Sequence, residues 1–205
     1  MIALAASLFA DGVDAAAQNE PTIFGGKELS STNMAKFTKW TGVLERYEKE
    51  LPQELQACQP TAQDPCHTAR WRIFLKQLAG KNQAEQATLV NQYINKYLYV
   101  LDPINWQQDD YWATPRQFFG KNGDCEDFAI AKYMSLKHLG FTDKDMRILV
   151  LQDLNLNVGH AVLVVFLQGK AWLLDNQIPQ IVEASRVKHY KPIFSINAER
   201  WWLHR

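Results

Sequence analysis

The feature that most constrains the fold is the apolar segment from Cys125 to Leu139. Its apolar residues occur on most sides of a helix instead of along one stripe, which is typical of a helix buried in the middle of a domain. Gly140 follows directly, and glycine is the residue that most often ends a helix. The chain has 205 residues, of which 47% are hydrophobic, so it can bury such a helix within one globular domain.

The segments on either side of this helix differ in periodicity. Between residues 30 and 100, apolar residues recur every three or four positions, which predicts amphipathic helices, and a further short helix is expected to start near Thr114 and Pro115. After Gly140, the runs "MRILVLQ", "HAVLVVFL" and "AWLLDNQ" are short, apolar and rich in β-branched residues, which predicts buried strands. The predicted fold class is α+β, with the central helix packed on an antiparallel sheet.

The organisation of the chain is also predicted from the sequence. The start, "MIALAASLFADGVDAAAQ", combines a short apolar run with an A-x-A pattern, so residues 1–17 are expected to be the remnant of a signal peptide. A basic leading region is missing, and a frayed apolar tail is the alternative interpretation. Residues 18–205 are predicted to form a single domain, with a helical lobe at about 27–100 and a catalytic core at about 101–205. No later segment is apolar over about 18 residues, so the exported protein is expected to be soluble.

Charge and cysteine content narrow the classes of function. Lysine plus arginine and aspartate plus glutamate both number 22, and no basic arm is present, so nucleic acid is not expected as a partner. In an oxidising compartment, Cys58 and Cys66 could form a disulfide that leaves Cys125 as the odd thiol, although two unpaired cysteines are also compatible with the spacing. A zinc site that includes His67 is disfavoured, because the two cysteines lack the usual spacing of zinc ligands.

Cys125 is predicted to occupy the first turn of the central helix, after a loop and cap formed by Asn122, Gly123 and Asp124. The N–H groups at the start of a helix lower the pKa of a thiol, and they can also bind a developing oxyanion. Position alone is weak evidence for catalysis, because most cysteines at such positions are only packed. A nucleophile also needs a base and a residue that orients the base.

His160 begins one predicted strand, and Asp175 lies near the end of the next. They provide that pair if the two strands form a tight hairpin. With a two-residue turn after Leu167, the register places Val162 opposite Asp175. Side chains alternate along a strand, so His160 and Asp175 would share a face as diagonal neighbours. A three-residue turn would separate them, and a His–Asp pair can also be a purely structural feature of a core.

Three motifs in order, "DCED", "GHAVL" and "LDNQ", resemble the transglutaminase-like core, and specifically the bacterial transglutaminase-like cysteine proteinases of the LapG type. The resemblance covers most of the chain after its start, including the closing "YKPIFSINAERWW". It implies a papain-like arrangement in which Cys125 is the nucleophile, His160 is the general base and acid, and Asp175 orients the imidazole.

The resemblance also implies calcium dependence, with ligands from the acidic residues next to the cysteine, which are Asp124, Glu126 and Asp127. Carboxylate oxygens suit calcium, and three carboxylates so close together repel one another and a thiolate unless a cation is bound. The alternative interpretation is that acids in a first helical turn only favour the helix dipole.

The family resemblance implies a full function. The expected protein is a calcium-dependent periplasmic cysteine endopeptidase that cleaves the N-terminal region of a large surface adhesin beside a pair of alanines, and so promotes biofilm release. Its expected inhibitor is the periplasmic domain of an inner-membrane receptor for cyclic-di-GMP. One alternative keeps the same three residues but changes the reaction, either to acyl transfer to an amine or to action on a non-peptide amide. The other alternative is a non-catalytic calcium-binding interaction module.

Overall fold

The computed structural model describes residues 14–15, 22–54, 58–61 and 66–205. Its helices are α1 (Thr38–Glu54), α2 (His67–Leu78), α3 (Gln83–Ile94), α4 (Asp102–Asn105), α5 (Pro115–Lys121) and α6 (Cys125–His138). Its strands are β1 (Asp14–Ala15), β2 (Glu28–Ser31), β3 (Met146–Asp153), β4 (Val158–Leu167), β5 (Lys170–Leu174), β6 (Val182–Glu183), β7 (Tyr190–Ile196) and β8 (Trp201–His204). Apart from Asp14–Ala15, the segment predicted to be a signal-peptide remnant, residues 1–17, lies outside the described residues.

The central helix is α6, and it is buried without interruption from Cys125 to Leu136. It contacts β3 and β4 on the sheet, and it contacts α3 and α5 among the helices. Gly140 has a φ of 94°, the left-handed conformation that glycine adopts without strain after a helix. The buried central helix and the α+β fold class are therefore confirmed.

The described strands form one sheet in the order β1-β2-β8-β7-β3-β4-β5-β6, and neighbouring strands are antiparallel. Alternate side chains of β4 enter two different cores. Leu163, Val165 and Leu167 join the large core around α6. Val162 and Val164 join a smaller core on the opposite face of the sheet. Both faces are thus covered, which explains why the strand sequences are apolar almost throughout.

The hairpin between β4 and β5 has the two-residue turn that the sequence predicts. Gln168 and Gly169 both have positive φ, 52° and 75°, as in the turns that suit the twist of a hairpin. Leu167 lies opposite Lys170, and the ladder continues to Leu163 opposite Leu174. This register determines which side chains meet at the open end of the hairpin.

One strand occurs in a region for which only helices were expected. β2 pairs with β8 at the sheet edge, and Leu29 lies opposite Leu203. A buried ion pair supports this pairing, because Arg147 Nη1 on β3 donates to Glu28 Oε2 over 2.6 Å. The sequence "ELSS" carries little strand propensity of its own, so these contacts with distant residues explain the strand. The proposed division into a helical lobe and a catalytic core stays a prediction.

Cys58 and Cys66 form a disulfide with a Cα–Cα distance of 5.8 Å. The bond joins the segment after α1 to the residue that precedes α2. Of the two arrangements that the spacing allows, the structure therefore has the bridged one. Cys125 remains as a free and buried thiol.

Candidate active site

Cys125 is the first residue of α6, as the sequence predicts. The preceding helix, α5, is fixed by a capping box in which Thr114 and Gln117 satisfy each other's backbone N–H groups. The chain then turns at Asn122, whose φ is 65°, and enters α6. This tight connection places the thiol at the positive end of a buried helix, packed against Ala161 of β4.

The predicted contact between His160 and Asp175 is present. Nε2 of His160 lies 3.0 Å from Oδ1 of Asp175, and both side chains are buried. The contact follows from the hairpin register. Leu163 pairs with Leu174, so Val162 lies opposite Asp175, and His160 is the diagonal neighbour of Asp175 on the same face. Because Asp175 engages Nε2, the ring leaves Nδ1 as the nitrogen that can accept a proton from a thiol.

Asp175 is held by more than its histidine. The hydroxyl of Tyr190 donates to Oδ2 over 2.6 Å, and the backbone N–H of Gln177 donates to Oδ1 over 2.8 Å. Burial acts to raise the pKa of Asp175, but the hydrogen bonds from His160, Tyr190 and Gln177 outweigh it and lower the pKa below its usual value. The carboxylate is therefore charged and fixed in orientation beneath the imidazole.

Lys132 is a second residue near Asp175 that the sequence analysis did not single out. Its ammonium, on α6, is buried and donates to the carbonyl oxygen of Leu174 over 3.3 Å. Burial lowers the pKa of Lys132 to about 7, while the charge of Asp175 opposes that shift. The lysine therefore ties the central helix to the backbone immediately before Asp175.

Cys125 packs against Ala161, the residue that follows His160 on β4. The backbone N–H of Ala161 acts to lower the pKa of the Cys125 thiol, but burial and the neighbouring acids outweigh it. Cys125 therefore packs against the strand that carries His160, and Asp175 lies at the open end of the β4–β5 hairpin.

The acidic residues around Cys125 form a second part of the site. Asp124, Cys125 and Glu126 offer ligand atoms within 4.8 Å of one another, and so do Asp102, Asp124 and Asp127. Asp102, Asp110 and Glu126 form a third such group. All three acids predicted as calcium ligands therefore belong to one cluster.

Asp102 and Asp110 were not predicted as members of this cluster. Asp102 belongs to α4 and Asp110 to the loop that follows it, and both precede Cys125 in the chain. Both occur in a run, "DPINWQQDDYW", whose composition reads as a loop. Only the folded chain brings these two carboxylates to the start of α6.

Several oxygens in the cluster have no protein partner. Asp127 Oδ1 accepts from the Ala113 N–H over 2.7 Å, and Asp102 Oδ2 accepts from the Tyr111 N–H over 2.5 Å. The other oxygen of each carboxylate is buried and without a hydrogen bond, and so is Oδ1 of Asp124. Buried oxygens of this kind are costly unless a ligand satisfies them.

The electrostatics of the cluster oppose ionisation of the thiol. Burial, followed by the charges of Glu126 and Asp124, raises the pKa of Cys125 well above its ordinary value. Sγ of Cys125 also donates to Glu126 Oε2 over 3.2 Å. Burial raises the pKa values of Glu126 and Asp127 as well, and it raises that of Asp102 to about 6. Without a cation, burial and the mutual repulsion of these groups therefore oppose the charged forms of the acids and of the thiol.

A family model described as bacterial transglutaminase-like cysteine proteinase, BTLCP, matches residues 52–203. No match was found among curated proteins. Within the described residues, no helix is long and apolar enough to cross a membrane.

Two solved structures of LapG from Legionella pneumophila resemble this chain. The calcium-bound form has 34% sequence identity and a TM-score of 0.64, and the match covers 78% of this chain and 87% of that one. The EGTA-treated form has 33% identity and a TM-score of 0.64, with coverage of 79% and 86%. Fold and sequence therefore agree over most of both chains.

Proposed function

Because this chain belongs to the bacterial transglutaminase-like cysteine proteinases, we propose that it is a calcium-dependent cysteine endopeptidase with Cys125 as its nucleophile. The observation that carries the proposal is the buried His160–Asp175 contact, 3.0 Å long, beside a thiol at the start of a helix. A buried carboxylate that fixes one imidazole nitrogen leaves the other free for proton transfer. This combination supports nucleophilic catalysis more strongly than any of its three residues alone.

The chemistry follows from this geometry. His160 accepts the thiol proton, and the Cys125 sulfur attacks the carbonyl carbon of the scissile bond, while N–H groups at the start of α6 stabilise the oxyanion. The imidazolium gives its proton to the leaving amine as the C–N bond breaks, which leaves a thioester on Cys125. A water molecule, deprotonated by His160, hydrolyses the thioester and restores the thiol. Asp175 stabilises the charged imidazolium in both steps.

The acidic cluster fits calcium. Asp124, Glu126 and Asp127 are the proposed ligands, and Asp102 is added to them because one of its oxygens is buried without a partner. When bound, calcium supplies positive charge that offsets the repulsion between these carboxylates and the thiolate. The carboxylates are hard oxygen donors held in place by backbone N–H groups, as at Asp127 and Asp102.

The proposed setting is the periplasm. The disulfide between Cys58 and Cys66 supports an oxidising compartment. Following the family resemblance, the proposed substrate is a large surface adhesin, cleaved in its N-terminal region beside a pair of alanines with consequent release of biofilm. The proposed inhibitor is the periplasmic domain of an inner-membrane cyclic-di-GMP receptor.

The proposal is tested by incubating the protein, and its Cys125→Ala variant, with the N-terminal segment of the largest exported repeat adhesin of the same genome. Products are identified by intact mass, with calcium and with a chelator. Cleavage at one small-residue bond, by the parent alone and only with calcium, is the expected result. A cross-linked product would show that the enzyme catalyses acyl transfer and not hydrolysis. An adhesin segment that stays uncleaved in the presence of calcium would contradict the peptidase assignment.

A further inference from the structure

Strand β4 is longer than the partner on one of its sides. It spans Val158–Leu167, but β5 pairs with it only from Leu163 to Leu167. On its other side, β3 pairs with it from Val158 to Val165. Among the described strands, none pairs with residues 158–162 on the β5 side. This side of β4 at residues 158–162, of which Val158 and Gly159 are exposed, is here called the open edge.

The hydrogen-bonding pattern tells which residues present their backbone to this open edge. The residues that flank a two-residue hairpin turn exchange hydrogen bonds, so Leu167 points its backbone groups to β5. Every second residue does the same, which assigns Ala161 and Gly159 to the open side. Ala161 packs against Cys125, so its backbone on this side lies near the thiol. Gly159 is exposed, and its N–H and C=O face the same side.

Exposed apolar side chains lie next to both parts of the proposed active site. The described part of the chain has eight large hydrophobic residues that are strongly exposed, and seven of them occur in two short segments. The first segment, here called the cysteine rim, contains Leu98, Tyr99, Leu101 and Ile104. The second, here called the histidine rim, contains Leu154, Leu156 and Val158. Such clustering of exposed apolar residues is typical of a binding surface.

Backbone contacts fix each rim beside one reacting residue. The Val100 N–H donates to the Gly123 carbonyl over 2.8 Å, which attaches the cysteine rim to the segment just before Cys125. The histidine rim comprises the turn between β3 and β4 and the first residue of β4, Val158, which lies two residues before His160. The Leu156 N–H donates to Asp153 Oδ1 over 3.1 Å, which holds that turn in shape.

We propose that the polypeptide substrate binds in an extended conformation as an added strand on the open edge of β4. Its backbone pairs with Gly159, and its apolar side chains pack on the cysteine rim and the histidine rim. This inference rests on the proposed peptidase function. The occupant is an extended segment, because an open strand edge offers backbone hydrogen bonds that only an extended chain can match in series. Gly159 has no side chain to keep that segment at a distance.

The first test measures side-chain preference. The probe is a synthetic peptide mixture with two central alanines and randomised flanking positions, and cleaved sequences are identified by mass spectrometry. The parent is expected to select apolar flanking residues. Ile104→Lys and Leu156→Lys should each shift the preference at one flanking position towards Asp or Glu by about tenfold or more, as for a new ion pair beside a bound ligand.

The matched control is Ile73→Lys, which changes the remaining exposed residue of the eight, on α2 and in neither rim. It should keep the preference of the parent. Iodoacetamide modification of Cys125 should proceed at the parent rate in all three variants, which shows that the thiol is intact. Rim variants that cleave the mixture with the parent preference would overturn the inference. If the parent cleaves neither the mixture nor the adhesin segment, the proposed function itself fails, and the inference with it.

The second test addresses the backbone. The best peptide from the mixture is resynthesised with one N-methyl group at each successive position, which removes one N–H donor at a time. Pairing with an open strand edge predicts that methylation abolishes cleavage at one position next to the scissile bond and is tolerated at its neighbour, since alternate N–H groups face the edge. Tolerance at every position would contradict the added-strand arrangement, even if the rims select side chains.

Discussion

The Tyr190 hydroxyl lies 2.6 Å from Oδ2 of Asp175, the oxygen that His160 does not engage. Tyr190 belongs to β7, which is separated from β4 by β3 in the sheet. A distant strand therefore clamps the carboxylate that is proposed to orient the imidazole. Each oxygen of Asp175 has its own donor, so the carboxylate cannot rotate without losing a buried hydrogen bond.

Replacing this donor should loosen the proposed triad. Tyr190→Phe removes one hydrogen bond to a charged group, so the free energy of unfolding should fall by about 1.5–3 kcal/mol. It should also raise the pKa of Asp175. The value of kcat should fall several-fold, and KM should change less than kcat does. Steady-state cleavage at several pH values and thermal melting measure both effects. The control is Tyr133→Phe, which removes a hydroxyl bonded to Asp143, away from the triad. Equal activity in the two variants would remove Tyr190 from the positioning role.

A substitution at Gly123 tests the proposed calcium ligands without replacing any acidic residue. A Cβ at this position would lie 2.2 Å from Oδ2 of Asp127, so Gly123→Ala must displace that carboxylate. We expect the calcium concentration that gives half of the thermal stabilisation to rise about 10–100-fold, as for loss of ligand orientation at a metal site. Gly120→Ala is the matched control, because nothing lies within 4 Å of its Cβ. An unchanged calcium response in Gly123→Ala would exclude Asp127 as a ligand.

His204, which is not part of the proposed triad, should make the folding stability depend on pH. Burial, and then the charge of Arg147, lowers its pKa from 6.5 to about 4. The charged groups that face it are Glu28, whose Oε1 is 3.5 Å from Nδ1, and Arg147, while Ser195 Oγ is 3.0 Å from Nε2. The unfolded chain binds a proton at higher pH than the folded one, so this stability is present above 6.5 and is lost as pH falls towards 4.

The variant His204→Gln should therefore flatten the fall in melting temperature between pH 6.5 and pH 4, measured by differential scanning calorimetry against the parent. It should also lower the melting temperature at pH 7, since a buried hydrogen bond to Ser195 is disturbed. If the melting temperature of the variant falls as steeply as that of the parent, other groups cause the acid sensitivity.

The disulfide should contribute stability without affecting the chemistry. Closing a loop with a sequence separation of 8 stabilises a folded chain by about 2.5 kcal/mol through the entropy of the unfolded state. The double variant Cys58→Ser and Cys66→Ser should lose about that much in denaturant unfolding, while the folded fraction cleaves substrate at the parent rate. A parent-like free energy of unfolding would show that the loop is already constrained by other contacts.

Much of the architecture could be predicted because it depends on local rules. The buried helix follows from apolar residues on most of its sides, and the contact of His160 with Asp175 follows from the two-residue turn and the alternation of side chains. The strand pairing that starts at Leu167 determines the positions of both His160 and Asp175. No long-range information was needed for that step.

The remaining parts depend on contacts between residues far apart in the chain. Tyr190 meets Asp175 across the sheet, and Asp102 meets Asp124 through a loop, so neither has a spacing that a sequence pattern reveals. Lys132 looks like one charged residue on an apolar helix, and its approach to Leu174 appears only in the folded chain. Unpaired acids near a cysteine could have prompted a search for further carboxylates among residues 102–110.

The central claim is that Cys125 becomes a nucleophile only when a cation occupies the acidic cluster, and the rate of its alkylation tests this most directly. Because Cys58 and Cys66 are bridged, iodoacetamide reports on Cys125 alone, and intact mass follows the reaction at pH 7 in calcium or in EGTA. Each unit by which the thiol pKa falls towards neutrality raises the thiolate fraction about tenfold. Alkylation of Cys125 is expected to be at least about tenfold faster in calcium than in EGTA. Equal or slower alkylation in calcium would contradict activation of the thiol by the cation.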